Sequence, residues 1–153
     1  MIPTFNGRIQ TRLFLVVFIG IPWTLIATPF LPGNRDGVGL GKAAGELYPA
    51  TFTALAIILV LGVVLWEPIY YVLQLCRWEK DWPVMFFLLE LIPEAILAWY
   101  VFKEIGPDTA GIATKATFIT HVATTWVVMF LFVLGPIKVL FIRWRFNGGR
   151  IFF

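Results

Sequence analysis

The chain has 153 residues, of which 59% are hydrophobic and 14% charged, with a mean hydropathy of +0.85. Soluble domains run at roughly 45 to 50% apolar and 25% charged, so this composition excludes an ordinary soluble domain and points to a membrane protein. The net charge of +3 argues for no nucleic-acid partner, because in such a chain the placement of Lys and Arg reports topology, and no nucleic-acid-binding pattern is present.

Residues 1–12 hold Phe5-Asn6-Gly7-Arg8-Ile9, a turn-forming Asn-Gly followed by the cations Arg8 and Arg12, which reads as an interfacial foot. The run Leu13 to Leu31 has 19 residues without a charge, close to the roughly 20 needed to span a bilayer core. Its flanks resemble those of a signal peptide, but it is read as a retained first helix. Pro32 to Pro49 form a Gly-rich connector. Its Gly41-Lys42 pair lacks the earlier Gly and the following Ser/Thr of a phosphate-binding loop. Gly39, Gly41 and Ala44 fit G-x-G-x-x-A, but no strand precedes them, so no nucleotide site is expected.

A second span is predicted at about 51–75, and the turn Cys76 to Trp82 sets charges between Trp78 and Trp82, the pattern of a membrane interface. A third span, about 83–102, closes on Trp99-Tyr100, and Gly106-Pro107-Asp108 turns the chain into a fourth at about 116–141. The end, Phe146-Asn147-Gly148-Gly149-Arg150-Ile151, echoes the first foot. The fold class expected is therefore all-α, a single transmembrane domain (1–153) with spans at about 13–31, 51–75, 83–102 and 116–141. Acids in the middle two spans also leave three-helix and re-entrant arrangements open.

With four spans, both termini and the middle turn share one side. That side carries eight Lys and Arg against four on the other, which places both termini in the cytoplasm and the protein in the plasma membrane. The two FNG segments would then sit together at the cytoplasmic surface, as ordinary interfacial turns or as a dock for a partner or lipid headgroup.

Three acids lie where hydrocarbon is expected. An acid at mid-bilayer costs about 2.5 to 3.5 kcal/mol on insertion scales, so Glu67, Glu90 and Glu94 need partners, protonation or water. Glu67 lies 12 residues before Glu79 and Glu90 11 after it, which puts both at similar depth. Glu90 and Glu94 share a helix face, and Glu67 shares one with Tyr70, Tyr71 and Gln74. Close approach of the acids would favour protonation of at least one. Every span also carries a proline, Pro22, Pro68, Pro93 and Pro136, expected to free the carbonyls of Phe18, Val64, Leu89 and Phe132. The single histidine, His121, is at a depth near Glu94, which is its expected hydrogen-bond partner.

Catalytic chemistry finds little footing. The chain has no serine, and its single cysteine, Cys76, is set against no base and excludes an intrachain disulfide. Paired Glu-x-x-His motifs of di-iron bundles are absent, and a two-histidine haem would need a second copy of the chain. No enzyme, cofactor or metal is expected.

The segments FNGRIQTR at Phe5 to Arg12, WEPIYY at Trp66 to Tyr71, RWEKDWP at Arg77 to Pro83 and FNGGRIFF at the end together resemble small uncharacterised membrane proteins of actinobacteria. Among these are accessory subunits of the cytochrome bcc-aa3 respiratory supercomplex, and the resemblance implies a bound helper without cofactors. Three functions follow as expectations. The first is a non-catalytic accessory subunit packing against other membrane subunits and lipid. The second is a small proton- or ion-coupled carrier, homo-oligomeric or not, using Glu67, Glu90 and Glu94 with His121 and Tyr71. The third is a lipid-acting enzyme with residues around Arg77 to Trp82.

Overall fold

The computed structural model describes residues 3–32, 40–79, 82–106 and 115–152, and of 40–44 and 46 the backbone alone. Four helices are long and apolar enough to cross a membrane: α1 (Phe5–Phe30), α2 (Leu47–Cys76), α3 (Val84–Ile105) and α4 (Lys115–Leu140). A short α5 (Ile142–Phe146) follows. No strand occurs among the described residues. The all-α expectation holds, and α1 packs on α2 and α4, α2 on α3, and α3 on α4. The Gly-rich stretch 33–39, Lys80-Asp81 and the Pro107-Asp108 turn lie outside the described residues.

Two boundaries differ from the sequence reading. The segment read as an interfacial foot is helix from Phe5 onward: Thr4 is the N-cap, its Oγ1 accepting from the Gly7 N–H at 3.1 Å. A capped first turn tolerates Asn6 and Gly7, whose donors would be orphaned in any case. The second difference lies in the first connector, where the backbone is helical from Leu40 with Pro49 inside the helix. Proline there removes the bond to the Gly45 carbonyl, and Gly45 is exposed.

Two prolines come with wider turns. Before Pro22, residues Val16–Gly20 form a π-turn in which the Ile21 N–H reaches the Val16 carbonyl, five residues back. Before Pro68, Gly62–Trp66 do the same, with the Glu67 N–H bonded to the Gly62 carbonyl. Each π-turn inserts one residue into the helical count. In a regular helix Thr24 would point about 120° away from Arg12; the inserted residue brings it within about 20°. Leu55 and Glu67 are rephased by the same amount, so in both helices apolar or hydroxyl positions at one end and charged positions at the other share one inward face. Pro136 instead starts a helical turn after a break at Gly135 (φ −124°, ψ −78°), where its missing donor costs nothing.

Candidate functional site: a buried arginine and glutamate cluster

The inward stripes of α1, α2 and α3 meet in a group of five charges. Arg8 and Arg12, four residues apart on one face of α1, are 8% and 7% exposed. Glu67 of α2 receives one from each: Arg8 Nε donates to its Oε2 at 2.6 Å and Arg12 Nε to its Oε1 at 2.7 Å. Arg12 also grips Glu94 of α3 with both terminal nitrogens, each at 2.7 Å, the bidentate geometry that gives the strongest charge-assisted pairs. Arg8 Nη2 reaches Glu90 Oε1 at 3.3 Å, the longest contact of the set. The same Oε1 accepts from Trp82 Nε1 at 2.7 Å.

The surrounding residues fit the cations closely. Arg8 stacks over Trp82 at 4.9 Å and Tyr70 at 5.7 Å, and Arg12 over Trp126 at 5.7 Å. Trp126 is itself pinned by its Nε1 to the Phe87 carbonyl at 2.7 Å. Gly62 leaves the space Arg12 occupies: a Cβ there would fall 2.7 Å from Arg12 Cζ and 2.8 Å from Cδ. The π-turn therefore supplies both the phase that aims Glu67 inward and the gap that admits the guanidinium.

Two guanidiniums against three carboxylates leave the fully ionised cluster at 2 − 3 = −1. Of the partners, protonation or water that the acids were expected to need, the structure supplies partners: each acid stands within hydrogen-bond reach of a guanidinium. A cavity of about 90 Å³ adjoins the Arg8, Glu67 and Glu90 side, enough for several waters.

The two chain ends close over this cavity. Thr4 N–H donates to the Gly148 carbonyl at 2.8 Å, and Thr11 Oγ1 to the Gly149 carbonyl at 3.0 Å. Trp144 Nε1 donates to Thr11 Oγ1 at 2.8 Å, and the Ile151 N–H to Gln10 Oε1 at 2.9 Å. The FNG segments do lie together, but as a helix start gripped by a glycine loop. Gly148 (φ 60°) and Gly149 (φ 82°) supply the left-handed turn, and Gly7 lets the two backbones touch. Pro3 adds its carbonyl to Gln74 Nε2 at 2.9 Å.

Other predicted positions fall elsewhere. Tyr71 lies outside the cluster and packs on Phe5 at 5.5 Å, and the residue facing the acids is its neighbour Tyr70, 6% exposed. His121 does not pair with Glu94, which Arg12 occupies on both oxygens. Its Nε2 instead meets Thr24 Oγ1 at 2.9 Å, in a hydroxyl chain that continues from Thr28 to the Thr24 carbonyl and to Thr51 Oγ1 at 3.1 Å. The π-turn in α1 is what puts Thr24 there. Sequence reasoning missed Arg8 and Arg12, although their i, i+4 spacing with no break before the apolar run was the available signal. Among the described residues no group of three His, Cys, Asp or Glu is arranged to hold a metal.

These features define an all-helical chain with four helices able to span a membrane and an internally paired ionic cluster near one end. No family model, curated protein or solved structure matches it.

Proposed function

We propose that this chain is a non-catalytic accessory subunit, held in the plasma membrane with both termini cytoplasmic and packed by its outward apolar faces against a larger membrane assembly. The observation that carries this reading is that Glu67, Glu90 and Glu94 are each bound by an arginine of the same chain. A relay acid must exchange its proton or ion, whereas Glu67 and Glu94 have both oxygens committed to guanidiniums. The cluster spends its charge on joining α1, α2 and α3. The resemblance to actinobacterial small subunits makes a respiratory assembly the first place to look.

The charge bias supports this placement. Removing the buried Arg8 and Arg12 from the count of eight leaves six cations on the terminal side against four, so the bias keeps its direction. The carrier reading has one observation in its favour, the residual negative charge beside the cavity at Glu90. The two readings separate in vesicles holding only this chain and an internal pH dye. As an accessory subunit, wild type and Glu90→Gln dissipate an imposed pH gradient no faster than empty vesicles. A flux present in wild type and lost in Glu90→Gln would overturn the accessory role.

A further inference from the structure

Between α3 and α4 an apolar groove of about 550 Å³ runs from the depth of Glu94 toward the end away from the ionic cluster. Its floor includes the small residues Ala95 and Ala123, and Trp99 lies along it. At its mouth stand two lysines, Lys103 from the end of α3 and Lys115 from the start of α4, both exposed. From Leu91 at the other end to Lys103 is 12 residues of helix, about 18 Å at 1.5 Å per residue. That is close to half of a hydrocarbon core of about 30 Å, the depth of one leaflet.

We propose that this groove binds an anionic phospholipid, one acyl chain lying along Ala95 and Ala123 with the phosphate between Lys103 and Lys115. The pairing of an apolar trough one leaflet deep with two cations at the interfacial end selects this ligand over a neighbouring apolar helix, which offers the lysines no counter-charge. Paired basic side chains between helices at a membrane interface suit a phosphate headgroup, and each cation adds to the attraction. Glu104 follows Lys103 on α3 but does not line the groove. The inference requires only that the helices lie in a bilayer, and it stands or falls independently of the accessory role.

The test is native mass spectrometry of the full chain with phosphatidylglycerol and phosphatidylcholine of identical acyl chains. Wild type retains the anionic lipid about tenfold more strongly, as expected of two interfacial cations. Lys103→Gln with Lys115→Gln brings the two lipids to parity. Ala95→Phe, which fills the trough, lowers retention of both. Helical content by circular dichroism checks that each variant folds. Equal retention of the two lipids by wild type, or a preference that survives the double lysine variant, overturns the proposal. So does unchanged retention in Ala95→Phe, which would place the lipid elsewhere.

Discussion

Arg12 is the residue on which the polar interior turns, because it binds acids on both α2 and α3 through charge-assisted bonds of 2.7 Å, whereas Arg8 reaches α3 at 3.3 Å. Removing one member of a buried ion pair leaves the other charge uncompensated, at a cost of about 3 to 5 kcal/mol, while replacing both by apolar groups is often close to neutral. Arg12→Met should therefore lower the midpoint of thermal unfolding in detergent by roughly 10 °C. Arg12→Met combined with Glu94→Met should recover most of that loss, since the remaining cluster keeps its charge of 1 − 2 = −1. A double variant as unstable as the sum of the singles would show that the pair is not the unit that matters. At this scale the acids were legible in the sequence, since any carboxylate in an apolar run stands out. Their partners were not, because Arg8 and Arg12 sit near an Asn-Gly that reads as a turn and at the edge of the hydrophobic run, where cations normally face the interface.

The helices themselves were legible from their apolar windows, and their faces were not. α3 shows why the ionic cluster matters to packing. Its buried residues are Glu90, Glu94, Ala98 and Phe102, a single stripe every fourth position, of which half is ionic. α1 and α2 each change phase at a π-turn, so a fixed period of 3.6 residues predicts the wrong neighbours beyond Gly20 and Gly62. His121 was paired with Glu94 on depth alone; Arg12 takes both oxygens of Glu94, and the rephased α1 offers His121 the Thr24 hydroxyl. The same elements depend on the clasp between the chain ends. An L side chain at Gly149, where φ is 82°, is strained by about 1 to 2 kcal/mol. Gly149→Ala should loosen the C-terminal loop from α1 and speed its cleavage by protease, with the four long helices intact. Gly45→Ala is the matched control: its Cβ meets nothing within 4 Å, and alanine favours a helix. Equal protease resistance in the two variants would argue that the clasp does not hold the ends together.

Across the molecule, the charges of the described residues lie inside or near the helix ends, and the outward flanks of the long helices carry exposed aliphatic side chains. Val64, Leu89 and Leu131 are 72%, 56% and 56% exposed, one on each of α2, α3 and α4. Apolar flanks of this kind suit burial against lipid or a neighbouring subunit. Tagged chain expressed at its natural level, extracted in mild detergent and weighed intact by native mass spectrometry, tests the accessory role most directly. A particle containing this chain with a fixed set of larger, different subunits is the expected result. A free monomer, or a discrete oligomer of this chain alone, would contradict it.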